Sequence, residues 1–247
     1  MDERLKRQLD FTLEIDKEKN IFRQTHLSGH GRRENDAEHA WHMAIMAYLL
    51  REYANEPVDI AKVMLMCLIH DIVEIDAGDT FAYDEEGLKS QKAREDAAKE
   101  RIFSILPDDQ KKDLTALFDE FEDCETPESR YAHAMDNIQP LLLNHSNNGD
   151  DWKQHQTTSA QVYGRHAKTK LGSERLYELA DQMIQDAIQK GFIQTASKSA
   201  QCIPSASVVF AVVGCLLMPL ISWMPHTVDS NNLHFSDKLH FCTSAHH

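Results

Sequence analysis

From Leu5 to Gln189 the apolar residues return at helical spacing in one segment after another, and no stretch alternates with period two over a useful length. A period near 3.6 lays an apolar stripe along one face of a helix, whereas a half-buried strand needs alternation. The pattern predicts an all-α domain. Helices are expected at "RLKRQLDFTLEIDKEKNIF", "AEHAWHMAIMAYLLREYA", "VDIAKVMLMCLIHDIVEI", "KSQKAREDAAKERIFSIL", "DDQKKDLTALFDEFED", "TPESRYAHAMDNIQPLLLN" and "SERLYELADQMIQDAIQ". Pro57, Pro107 with Asp108, and Thr126 with Pro127 and Glu128 mark starts, because proline fits the first turn and a short oxygen-bearing side chain caps free amides. The longest loops, "LSGHGRRENDAEH" and "DAGDTFAYDEEG", are where chemistry tends to collect.

Charge divides the chain. The net charge of −14 lies before about Gln194; after it, Lys198 and Lys238 cancel Asp229 and Asp237. Without a basic excess to release counterions, nucleic acid is not an expected partner. The division predicts a helical domain over 1–194 and a low-charge, irregular tail over 195–247. The tail's "CIPSASVVFAVVGCLLMPLISWMP" is long enough for a membrane anchor, but Pro204, Pro219, Pro225 and three serines favour a poorly ordered appendage. The five cysteines show no CxxC spacing, and the opening "MDERLKRQLDF" has no apolar leader core, so a reducing, cytoplasmic setting is expected.

Chemistry concentrates at "LIHDIVEIDAGDT", where His70, Asp71, Glu74, Asp76 and Asp79 follow an apolar run. His70, Asp71 and Glu74 can converge on one rim of a helix, since i+3 and i+4 positions share a face. An unpaired carboxylate beside a core is costly, and a divalent cation removes that cost. Mixed imidazole and carboxylate ligation suits Mn, Co, Fe, Ni or Zn better than Ca or Mg. His39 in "AEHAWHM" and Asp136 in "AMDNIQP" sit on other helices. Trp41 and Met43, Met46, Met64, Met66 and Met135 are expected to fill core; His42 either lines a pocket or caps a polar gap, and His133 is a weaker candidate to stand behind Asp136.

The order His, then His-Asp, then a distant Asp, each on a helix, resembles the HD-domain phosphohydrolase superfamily over about Leu5 to Gln189. The blocks "RRENDAEHAWHMAIMA", "LIHDIVEIDAGDT" and "DNIQPLLLN" are similar to its 5'-deoxynucleotidase branch. That resemblance implies a compact multi-helix bundle with one divalent transition metal between helices. His39, His70, Asp71 and Asp136 match the metal ligands, and Glu74 and Asp79 match the acidic pair that handles the water and the leaving oxygen. An arginine followed by tryptophan meets phosphate and nucleoside in such enzymes. Arg23 in "FRQTH" can take the arginine place, but Gln24 stands where the aromatic would be, and Asn137 stands where a basic residue is common. Arg32 and Arg33 are alternative phosphate clamps.

The implied activity is hydrolysis of deoxynucleoside 5'-monophosphates, a small-molecule nucleotide substrate, by a homodimer. The alternatives are a nucleotide pyrophosphohydrolase acting on nucleoside triphosphates or guanosine tetraphosphate, and a non-catalytic metal or nucleotide sensor. The intact acidic pair disfavours the sensor, which needs no water-activating group.

Overall fold

The structure, a computed structural model, describes residues 2–80 and 85–195. The tail from 196 onward, with its anchor candidate and Cys202, Cys215 and Cys242, and residues 81–84 of the second long loop lie outside the described residues. Among the described residues no helix is long and apolar enough to cross a membrane.

The long helices are α1 (Glu3–Ile15), α2 (Asp36–Leu49), α3 (Ile60–Ile69), α5 (Glu85–Phe103), α6 (Asp108–Asp123), α7 (Pro127–Ser146) and α11 (Glu174–Gln189). Between them lie the short helices α4 (Glu74–Ala77), α8 (Asp150–Gln154), α9 (Ser159–His166) and α10 (Thr169–Gly172). Capping chemistry sets several starts: Asn35 and Glu38 close a reciprocal box at α2, and Thr126 with Ser129 does so at α7, where Pro127 occupies the first turn.

One apolar cluster joins Met43, Val63, Met66, Met135, Ile138 and Ile184, so α2, α3, α7 and α11 form the heart of the bundle. A second joins Phe11, Ile69, Val73, Ile102, Phe103 and Phe118, setting α1, α5 and α6 against the end of α3. The methionines fill core as expected. Trp41 does not: it is 62% exposed, with Ile45, Tyr48 and Leu49 on the same outer face of α2.

Two departures from the helical expectation shape the site. First, α1 stops at Ile15, a short 3-10 turn covers Asp16–Asn20, and Phe22–His26 (β1), which begins at the last residue of the helix expected to reach Phe22, pairs antiparallel with Arg33–Asn35 (β2), which lies within the long loop expected from Leu27 to His39. The strands are too short to show a period-two signature, and distant groups hold them: Asp151 accepts from the His26 amide at 3.0 Å, and the Asn147 side chain donates to the Leu27 carbonyl at 2.9 Å. Second, the helix expected to run through Ile75 breaks at its functional residues. His70 caps α3, and the turn tightens through i→i−3 bonds such as Glu74 N to Asp71 O at 2.8 Å before α4 begins.

Candidate active site

Four elements meet where α3 gives way to that turn. The turn carries His70 and Asp71, α2 brings His39 within its second turn, α7 brings Asp136, and β1 brings Arg23. Pro140 lies four residues after Asp136 and has no N–H for the Asp136 carbonyl, so the α7 ladder is interrupted at this point. Gly78 adopts φ +75°, a left-handed turn that ends α4 and directs the chain so that Asp79 borders the same cavity.

His39, His70 and Asp136 each offer a ligand atom within 4.8 Å of the others. His39 Nε2 is 3.3 Å from Asp136 Oδ1 and 4.0 Å from Asp71 Oδ2. His70 Nε2 is 3.1 Å from Asp71 Oδ1 and 3.9 Å from Asp136 Oδ1, yet it makes no hydrogen bond. A buried ring nitrogen left without a hydrogen bond beside two carboxylates fits the inner shell of a cation.

The outer ring nitrogens are committed elsewhere, which sets the lone pairs. His70 Nδ1 donates to the Cys67 carbonyl at 2.9 Å. Gln139 Nε2 donates to Glu34 Oε1 at 2.7 Å, which turns Gln139 Oε1 toward His39 Nδ1 at 2.9 Å. Both imidazoles therefore carry their proton on Nδ1 and aim Nε2 inward, the arrangement a metal ligand needs. Burial and Arg23 hold His39 down to about 4. Burial also lowers His70, but Asp71 and Asp136 outweigh it and raise that ring to about 9.

The site lies in a cavity of about 220 Å³. Glu74 borders it, buried, and desolvation together with Asp71 and Asp36 pushes its carboxyl well above the ordinary range. Asp79 is raised by burial, with Arg23 opposing. Arg23 also borders the cavity, its Nη1 2.7 Å from Asp71 Oδ2 and 3.3 Å from Asp36 Oδ1. Arg32 and Arg33 do not line it: Arg32 is exposed and paired with Glu38 on the rim of α2. His133 lines the cavity but spends Nε2 on the Phe121 carbonyl at 2.8 Å while stacking on that ring. His42 Nδ1 meets Gln139 Nε2 at 3.1 Å, which makes it a polar cap.

Sequence patterns did not single out several groups found here. Arg165 on α9 reaches Asp136 Oδ2 at 3.1 Å and gives the cavity a second guanidinium. Trp152 on α8 supplies an aromatic wall that Gln24 cannot. Only tertiary packing brings these two in. Gln139 had a usable signal, since i+3 from Asp136 on a helix places it on the same face.

Known proteins give the context. The sequence model of a family described as HD domain matches residues 15–177. A solved structure described as a predicted metal-dependent phosphohydrolase from Magnetospirillum magnetotacticum MS-1 is 48% identical, superposes with a TM-score of 0.74, and is matched over 77% of this chain and 96% of its own. The human protein named 5'-deoxynucleotidase HDDC2 is 26% identical over 111 residues, 45% of this chain and 53% of the relative. Its Dictyostelium discoideum namesake is 28% identical over 114 residues, 44% of this chain and 60% of the relative. The matched stretch thus spans about half the length of these curated relatives.

Proposed function

The chain belongs to the HD domain family, and from that membership we propose that it is a divalent-metal-dependent phosphohydrolase acting as a 5'-deoxynucleotidase on deoxynucleoside 5'-monophosphates. The observation that carries this reading is a cavity lined by His70, Asp71 and Asp136, two further carboxyl groups and two guanidinium groups, with His39 closing on His70 and Asp136 from behind its wall. The names of the human and Dictyostelium discoideum relatives support the substrate class.

His39, His70, Asp71 and Asp136 would hold the ion, a transition metal such as Mn, Co, Fe, Ni or Zn given its nitrogen and oxygen donors. Such an ion supplies Lewis-acid polarisation of the phosphoryl group and a lower pKa for the attacking water. The protein's own groups do the rest. Glu74 and Asp79, both raised above the ordinary carboxylate range mainly by burial, handle protons at the water and at the leaving 5'-oxygen, and a divalent charge beside them would draw both back down. Arg23, paired with Asp71, and Arg165, paired with Asp136, fix the phosphate against the nucleophile. The Trp152 wall offers the nucleoside a face for stacking.

The test is a release screen over deoxynucleoside and ribonucleoside mono-, di- and triphosphates and guanosine tetraphosphate, with Mn²⁺ or Co²⁺ added. Inorganic phosphate from deoxynucleoside monophosphates is expected. Pyrophosphate from tri- or tetraphosphates would move the chain to the pyrophosphohydrolases, and turnover of none would leave a sensor. A homodimer is part of the same proposal, supported by the apolar stripe of Trp41, Ile45, Tyr48 and Leu49; sedimentation of Trp41→Glu as a monomer is the expected result.

A further inference from the structure

One face of α7 lines the cavity from Asp136 through Pro140 and Leu141 to Asn144, about 12 Å along the helix axis. Trp152 stands at the far end of that strip: the Gly149 amide donates to the Asn144 carbonyl at 2.8 Å, and a Cβ placed on Gly149 would lie 3.1 Å from Trp152 Cε3. β1 covers a similar length, since Arg23 and His26 are about 10 Å apart along a strand. Each end of β1 is pinned to a carboxylate of the cavity wall. Arg23 Nη1 meets Asp71 Oδ2 at 2.7 Å, and His26 meets Asp151, the residue before Trp152. The second contact is double: His26 Nδ1 donates to Asp151 Oδ1 at 2.6 Å, and the His26 amide donates to Oδ2 at 3.0 Å. Asp151 lines the cavity, yet both of its oxygens are engaged by β1, and its side chain is only 7% exposed.

We propose that His26 and Asp151 are a positioning pair that fixes the Trp152 wall relative to Arg23, and that this fixed spacing makes the site select nucleotides over phosphate esters without a base. The inference rests on the nucleotidase reading above. A base held at Trp152 can help to place the phosphorus at Arg23 only if the frame between them is stiff, because binding energy from a remote group is otherwise lost in slack. The frame here has two members, α7 and β1. α7 is one helix, whereas β1 reaches the Trp152 end through side chains, and the buried carboxylate of Asp151 is the charged link among them. Asn147 holds the hairpin separately, donating to the His26 and Leu27 carbonyls at 3.3 and 2.9 Å and accepting from the His30 amide at 3.0 Å. Loss of the Asp151 carboxylate therefore loosens the spacing and leaves the hairpin in place.

The experiment compares deoxyadenosine 5'-monophosphate with 2-deoxyribose 5-phosphate, which carries the same ester and no base, on the full-length protein supplied with Mn²⁺. Wild type is expected to prefer the nucleotide. In Asp151→Ala, kcat/KM for the nucleotide should fall by about 10–10²-fold, with kcat sharing the loss, while that for the sugar phosphate stays within about twofold. His26→Leu spares the backbone bond and should show a smaller loss of the same kind; it also serves if Asp151→Ala does not fold. His26→Asn, whose side-chain amide stands near the place of Nδ1, should recover most of the preference. Trp152→Leu should lose the preference by itself, and adding it to Asp151→Ala should cost little more, since both act on one contact. Equal losses on the two esters, an unchanged preference in folded Asp151→Ala and His26→Leu, or His26→Asn no better than His26→Leu overturns the inference. A wild type that hydrolyses both esters equally well overturns it too and leaves a phosphomonoesterase. Phosphate release from no deoxynucleoside monophosphate overturns the nucleotidase reading and the inference with it.

Discussion

Gln139→Met is the most informative single change outside the metal donors, because it keeps the volume of a fully buried side chain and deletes only its polarity. Gln139 joins Glu34 Oε1, at 2.7 Å, to His39 Nδ1, at 2.9 Å, so the variant strands a buried carboxylate oxygen and a buried ring N–H together. Each such group costs about 1–3 kcal/mol when left unpaired. Glu34 Oε2 already lies 3.7 Å from His39 Nδ1 and can swing to pair with it, which places the net loss near the lower end, about 2–3 kcal/mol. For a domain of this size that lowers Tm by roughly 4–12 °C. The second consequence concerns the ion. His39 loses the partner that fixes its tautomer and ring orientation, and such losses weaken metal binding by about 10–100-fold, or about 1.4–2.7 kcal/mol. Calorimetric titration of the chelator-stripped protein with Mn²⁺ measures the affinity, and thermal melts with and without Mn²⁺ measure stability. A folded Gln139→Met that binds Mn²⁺ within twofold of wild type refutes the idea that Gln139 aims His39 at the metal.

Glu74→Gln should keep its ion but lose turnover by about 10²-fold or more, as expected when a proton-handling group is removed, whereas Asp71→Ala should lose ion and turnover together; steady-state kinetics beside metal counting separates the two. Burial, with Asp71 adding to it, pushes the Glu18 carboxyl up to about 8. The folded protein therefore holds a proton that the unfolded chain releases near the ordinary glutamate value, so stability is full below that value and declines as pH rises toward about 8. Melts in chelator between about pH 5 and pH 8 should show that decline, and Glu18→Gln should flatten it, gaining roughly 2–4 °C at the upper end for each kcal/mol of penalty removed; parallel slopes for the two proteins would remove Glu18 from the account. A chain ending after Thr195 should be as helical and as active as the full sequence, because Ile193 is buried and the Gln194 carbonyl accepts from the Ser159 amide at 2.8 Å. Aggregation or lost activity of that shortened chain would assign residues 196–247 to the working domain.

Helical period alone marked α6 from Asp108 to Asp123, and it located α2, α7 and α11 to within a few residues, because an amphipathic stripe and its caps are local properties of consecutive residues. The same locality exposed the "HD" pair with Glu74 and Asp79, four ionisable groups crowded behind an apolar run. Resemblance then linked His39 and Asp136 to them across distances that periodicity cannot span. What the sequence could not carry was anything made by residues far apart. The β1–β2 pair exists because Asp151 and Asn147 hold it, and the break at His70 exists because the turn and the Phe11–Phe103 cluster pack there. Trp41 faces outward although its neighbours Met43 and Met46 face in, a difference of helix phase that composition does not reveal. Tertiary structure alone chose among the arginines: Arg32 and Arg33, closest in sequence to His39, went to the rim, while Arg23 and Arg165 entered the cavity from β1 and α9. The physical reason is that a guanidinium is drawn to where several buried carboxylates leave charge uncompensated, and that sum is formed only when β1, α2, α7, α9 and the turn after α3 have come together.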